Sequence, residues 1–284
     1  MVIFDAPQHA IALLGQEALG LGQDLTGGLS GGINRISLKG SRFRLVQAGQ
    51  EVAVLEQSTL DVVIVGSTKH VSRIYYKEKY NSQDKVKPSC WSADGVTPAA
   101  DATERQANNC ASCPQNIKGS ATNDNGTQSR ACAFRKRIVV VAATQLGTDT
   151  LPEPYALDVN ALSLFGDGNP TQNKYSLGGY GKFLSTPRQG FPDGIPPLAV
   201  ITRLTLDSDS SVPKLFFGVS ANNAGQAAFL SKEQIASAIA MTKSEQVQRL
   251  VAEATADLLT LETEAAQASV ARGMAAPAPT PAPT

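Results

Sequence analysis

All four cysteines of this 284-residue chain fall in one window, as Cys90, Cys110, Cys113 and Cys132, spaced C-x19-C-x2-C-x18-C. The segment between them is rich in Asn, Asp, Gly, Ser and Thr and poor in large apolar residues. Such a segment buries too little apolar surface to offset the entropy of ordering it. Four thiolates suit tetrahedral Zn2+, and the close pair Cys110 and Cys113 gives two ligands from one tight turn. Zinc would add the missing folding free energy, ~10–16 kcal/mol apparent in peptide-scale sites. With all four positions filled, the metal is structural and has no open coordination site. Two other uses of four sulfurs stay open: an iron–sulfur cluster and a pair of disulfides. Disulfides suit an exported chain, whereas the start of this one carries Asp5, no early Lys or Arg and no adequate apolar core for a leader. A thioredoxin-like redox pair is disfavoured because no βαβ pattern surrounds Cys110 and Cys113.

Around the cysteines the pattern is β-like. Residues 33–39, Arg42–Val46, Leu60–Val65, Arg73–Tyr76, Ile138–Val141, Tyr155–Val159, Leu198–Leu206 and Lys214–Phe217 read as short strands separated by turn residues. This spacing predicts a small closed barrel or sandwich. Ser231 and Gln234 form a capping-box signature for a helix through Met241, and Thr242 with Glu245 repeats it. The second helix is expected to run to about Ala271, with Val247, Leu250, Val251, Ala254, Leu258 and Leu261 on one face. Residues 1–32 read as an N-terminal arm with a glycine hinge, 33–230 as a β-rich core containing a cysteine insertion at 88–134, 231–272 as C-terminal helices, and 273–284 as a disordered Ala/Pro/Thr tail. The fold class is therefore α+β: a β-rich, barrel-like core with a zinc-bound four-cysteine insertion and a helical C-terminal segment. No apolar run approaches the ~20 residues of a membrane-spanning helix.

The formal net charge is zero, but it is unevenly spread. Residues 33–137 hold sixteen Lys and Arg against nine Asp and Glu, an excess of +7, while the flanking segments are mildly acidic. A local basic block points to an anionic partner. Aromatic residues are interleaved with it, which is how single-stranded nucleic acid is held without sequence reading. The expected phosphate contacts are Arg42, Arg44, Lys69, Arg73, Lys77, Lys79, Arg135 and Arg137. The expected stacking residues are Tyr76, Tyr80 and Trp91. Phe43 and one of Tyr75 and Tyr76 are expected in the core, since adjacent strand residues face opposite ways. Catalytic motifs are scarce: GxxxxGK[ST] and HExxH are both missing, and the one match to GxSxG, Gly28-Leu29-Ser30-Gly31-Gly32, falls in the glycine hinge. The run Gly178-Gly179-Tyr180-Gly181-Lys182 reads as a flexible loop rather than a nucleotide site. His9 and His70 are isolated.

The stretch from about Ile33 to Val141 resembles proteins of tailed bacteriophages and prophages. The resemblance is carried by Gly40-Ser41-Arg42-Phe43-Arg44, Ser72–Tyr76, Cys90-Trp91-Ser92-Ala93-Asp94-Gly95, Cys110-Ala111-Ser112-Cys113-Pro114-Gln115-Asn116, Gly119-Ser120-Ala121 and Arg130-Ala131-Cys132. In design it is similar to phage single-stranded DNA-binding proteins that carry a zinc module within an oligonucleotide-binding barrel. That likeness implies a non-enzymatic protein of phage replication or recombination, working in the bacterial host cytoplasm. Single-stranded DNA would be its partner, with self-association through the C-terminal helices. The chain departs from that pattern in ending on Ala/Pro/Thr repeats instead of an acidic recruiting tail. Three rival readings are a virion or assembly protein with a zinc staple, a metal-dependent nuclease built on scattered carboxylates, and an adaptor that grips a host protein.

Overall fold

Two apolar runs organise the fold. Val62-Val63-Ile64-Val65 lies in strand β4 (Thr59–Ser67), and Ile138-Val139-Val140-Val141 lies in β9 (Ala133–Ala142). In a computed structural model, which describes residues 33–77, 88–122, 126–166, 168–210 and 212–252, these strands pair antiparallel at the centre of a ten-stranded sheet. The other members are β1 (Arg35–Ser37), β2 (Arg44–Gln47), β3 (Gln50–Val54), β5 (Ser72–Tyr75), β6 (Cys90–Ser92), β10 (Tyr155–Asn160), β11 (Thr202–Leu206) and β12 (Leu215–Val219). The order is β12-β11-β4-β9-β10-β1-β2-β3, with β5 and β6 branching from β9. Pairing is antiparallel except between β1 and β10. A separate two-stranded ribbon joins β7 (Ala121–Thr122) to β8 (Gln128–Ser129).

The sheet is open, with β12 and β3 at opposite ends, so the expected OB-like barrel is not formed. The physical reason lies in the central strands. Ile138 and Val140 point into one apolar cluster, with Leu157, Phe217, Tyr180 and Leu184. Val139 and Val141 point into another, with Val63, Ala238, Met241, Val247 and Leu250. Both faces are thus covered, and consecutive apolar residues satisfy both. One layer contains α1 (Ala161–Leu164) and α2 (Leu177–Ser185); the other contains α3 (Lys232–Lys243) and α4 (Glu245–Ala252). The architecture is α+β with a large mixed sheet, and no described helix is long and apolar enough to cross a membrane.

Local signals explain the helices. Ser231 and Gln234 make both hydrogen bonds of the expected capping box at the start of α3. The next helix is capped differently from the expectation. Ser244, not Thr242, accepts from the Val247 N–H at 3.3 Å, because Thr242 is still inside α3. Gly178-Gly179-Tyr180-Gly181-Lys182 is part of helix α2 rather than a loop. Ser176 caps it, and buried Tyr180 and Leu184 anchor it, so tertiary packing outweighs the poor helix propensity of glycine. The expected arm at 1–32, the helix beyond Ala252 and the tail at 273–284 lie outside the described residues.

Candidate metal centre and its basic surroundings

The sheet itself positions two of the four cysteines. Strand β5 has β6 on one side and the start of β9 on the other. Cys90 sits on β6 opposite Tyr75, and Cys132 immediately precedes β9. The intervening chain brings the other two. The Cys113 N–H donates to the Cys110 carbonyl, and Pro114–Asn116 forms a 3-10 turn directly after it. The Cys132 N–H donates to the Gln115 carbonyl at 2.9 Å, which ties the turn to the sheet. The Cys110 N–H donates to the Val96 carbonyl at 2.8 Å, and the Asn116 amide donates to the Cys110 carbonyl at 3.0 Å.

All four cysteines are buried, at 6–8 % exposure, and all four line one cavity of about 10 Å3. A space of that size holds roughly one water-sized sphere. Trp91, Tyr75 and Arg73 share its wall. The chemistry of the donor set fits a tetrahedral thiolate metal. Among the described residues, no group of three or more His, Cys, Asp or Glu side chains already stands in metal-holding geometry, the cysteines included. The Cys110 and Cys132 thiols resist ionisation. Burial pushes Cys132 up to about 11 and moves Cys110 in the same direction, with the neighbouring thiols adding to the effect. The Arg73 guanidinium opposes it at both.

Arg73 fastens the insertion to the sheet. Its Nε donates to the Gly95 carbonyl at 3.1 Å, its Nη1 donates to the Asn116 side chain, and its guanidinium lies 4.3 Å from the centre of the Phe134 ring. Arg130 donates to the Asn116 carbonyl at 2.8 Å and flanks the same ring. Gly95 has φ +72°, and a Cβ there would overlap the Val71 carbonyl, so this residue lets the insertion lie against the β4–β5 turn. The Asp94 carboxylate accepts from the Val96 and Thr97 N–H groups and the Ser92 hydroxyl, which hold its pKa below the usual range.

The expected nucleic-acid contacts are not brought into one groove. Arg137 is withdrawn from the set: it is 2 % exposed, pairs with Asp158 at 3.1 Å and donates to the Leu250 carbonyl of α4. Its strand position faces the helical layer, where a lone cation needs an internal partner. Arg73 is occupied as described above. Arg44 pairs with Glu51 at 2.9 Å, and Lys77 with Glu104 at 3.1 Å. Arg42 and Arg44 lie at the β2 end, separated from β9 by β10 and β1. Lys79 and Tyr80 lie outside the described residues. Trp91 is half-buried at the thiol cavity, and Tyr76 is half-buried just after β5; half-buried Arg135 lies opposite Ser72 at the other end of β5, by the β4–β5 turn that carries exposed Lys69, and the Lys136 Nζ donates to the Thr68 carbonyl of that turn at 2.6 Å. Burial lowers the Lys136 pKa. Phe43 and Tyr75 are in the core. Phe134, Phe165 and Phe216 carry cation or ring contacts, and the sequence pattern assigns none of them a role.

Comparison of the chain with protein-family models, with curated proteins and with solved structures finds no match.

Proposed function

We propose that this chain is a single-stranded DNA-binding protein whose cysteine insertion is set by a structural zinc ion. One observation carries the reading: thiols from β6, the CxxC turn and the approach to β9 line a single cavity that Trp91 and Arg73 also line. Zinc would draw Cys90, Cys110, Cys113 and Cys132 inward and hold the insertion as a rigid platform. Arg135 and exposed Lys69, by the β4–β5 turn, are the phosphate contacts in this reading, with Trp91 and Tyr76 for stacking. No step of covalent chemistry is required of it, and the host cytoplasm is the compartment in which such an activity belongs.

The test is a fluorescence titration with single- and double-stranded oligonucleotides at two salt concentrations. Single strands are expected to bind, with a log–log salt slope of ~−0.7 per phosphate neutralised. Binding that ignores salt, or that fails with single strands, overturns the reading. Replacing Lys69 and Arg135 together by Gln is expected to make the slope shallower by about 1.4.

A further inference from the structure

A groove of about 560 Å3 opens between α1 and the β11–β12 turn. Its walls include Leu162, Phe165, Leu215 and Phe216, and its rim carries Asp207, Asp209 and Lys214. Its volume falls in the range of small-ligand sites. Leu162 is 51 % exposed and Phe165 53 %, so two large apolar side chains face water there.

The walls are fixed by specific bonds. The Asn160 amide donates to the Pro213 carbonyl at 2.7 Å, and the Leu215 N–H donates to the Ser163 hydroxyl at 2.8 Å. These hold α1 against the start of β12. At the other end, a Cβ on Gly218 would overlap the Asn173 carbonyl, so glycine lets the 169–174 loop lie flat on β12. The Asn173 side chain then brackets Val219, donating to its carbonyl at 2.7 Å and accepting from its N–H at 3.2 Å. The Lys214 and Lys174 ammonium groups stand 4.4 and 5.8 Å from the centre of the Phe216 ring. Phe165 meets Phe134 edge-on at 5.1 Å, and Phe134 is the ring under Arg73. One aromatic contact path therefore joins the groove to the cysteine insertion.

We propose that this groove receives one unstacked base that carries an exocyclic amine, from the bound strand. The inference rests on the single-strand reading given above. The rings and Leu162 offer stacking surfaces that accept any base. The carboxylates add the selection. Asp207 and Asp209 repel phosphate, so the base enters and the backbone stays at the rim, within reach of Lys174. Adenine, cytosine and guanine carry an exocyclic amine, whereas thymine has carbonyl oxygens on both sides of its single N3–H. An amine donates to a carboxylate; the carbonyl of thymine faces it acceptor to acceptor. Asp207 is engaged by the Lys214 ammonium at 3.1 Å and by the Asp209 N–H at 3.2 Å, while exposed Asp209 accepts from the neutral Ser208 hydroxyl at 3.2 Å and is the carboxylate with capacity left for the base.

The experiment compares oligo-dC and oligo-dT of equal length on the full chain by fluorescence anisotropy. Oligo-dC is expected to bind several-fold more tightly. Phe165→Ala is expected to weaken oligo-dC roughly tenfold, the loss of one stacked base. Asp209→Asn is expected to erase the dC preference while leaving oligo-dT binding in place. Both side chains are on the surface, and an unchanged melting temperature verifies the fold. Equal affinity for the two oligomers, unaltered by either variant, overturns the groove assignment and leaves the single-strand reading standing. Failure of both oligomers to bind overturns the reading itself, and the groove assignment with it.

Discussion

The central sheet and the cysteine insertion are built on opposite principles. The sheet buries Val62, Val63, Ile138, Val139, Val140, Val141 and Leu157 almost completely, between layers on both faces. Among the described residues, the insertion's apolar cluster is Cys90 and Cys132 packed with Tyr75 of β5, with Ala102 and Ala131 against it. Its order in the structure comes from turn hydrogen bonds and from Arg73. The hydrophobic effect scales with area removed from water, so the first region holds itself together and the second needs a cross-link. The two meet on β5 and β9, where one strand end serves both.

The comparison predicts that metal removal separates the regions. Chelation or Cys113→Ser is expected to unfold the insertion and leave the sheet intact. The effect should be the largest of any single change, since structural zinc contributes ~10–16 kcal/mol apparent in small domains. Limited proteolysis should then cut within the insertion, between Cys90 and Cys132, while β4, β9 and β10 keep their amide protection. A Cys113→Ser protein with unchanged zinc content and unchanged protease resistance breaks the ligand set. The reciprocal change is Phe217→Ala, at a ring with no exposed surface. It is expected to cost ~3–5 kcal/mol of global stability, read from denaturant melting. Zinc stoichiometry should hold for as long as the sheet is folded. Loss of zinc before loss of the sheet signal would show that the two regions are not separable in this way.

The same contrast decides what could be read from the residues alone. The long strands were legible because β-branched runs are unambiguous, and β4, β9, β10 and β12 fall where the pattern puts them. The closure of the sheet was not. Val62–Val65 and Ile138–Val141 are apolar at consecutive positions, which indicates a strand covered on both faces rather than the wall of a small barrel. That signal was present and pointed to the layered form. Strand β3 leaves no alternating pattern in the sequence, because its side chains are mostly exposed. The run around Tyr180 was misleading because packing, not propensity, makes α2 helical. Cysteine spacing identified four residues that share a cavity, since ligand-like spacing survives without any knowledge of the fold. The cationic surface was less legible. Charge counts cannot tell Arg137, turned inward to Asp158, from Lys69, turned outward.

The smallest effect lies where helix α2 packs on the sheet. The Tyr180 hydroxyl is buried and meets the Thr202 hydroxyl at 2.9 Å. Burial raises its pKa to about 12, against about 10 in the unfolded chain. The folded state therefore keeps a proton that the unfolded state gives up. Stability from this group is complete below about pH 10 and is lost as the pH rises toward 12. A shift of that size corresponds to roughly 2–3 kcal/mol across the window. Tyr155, also raised by burial, adds a smaller contribution of the same sign. Tyr180→Phe is expected to flatten most of the alkaline fall, at a cost near neutral pH of about 1 kcal/mol for the lost hydrogen bond. Denaturant melts on both proteins, at mildly alkaline pH and again on either side of the ordinary tyrosine range, measure this. An equal alkaline fall in Tyr180→Phe would mean that the loss comes from deprotonating thiols or lysines, and would place the alkali-sensitive element in the insertion rather than in the sheet.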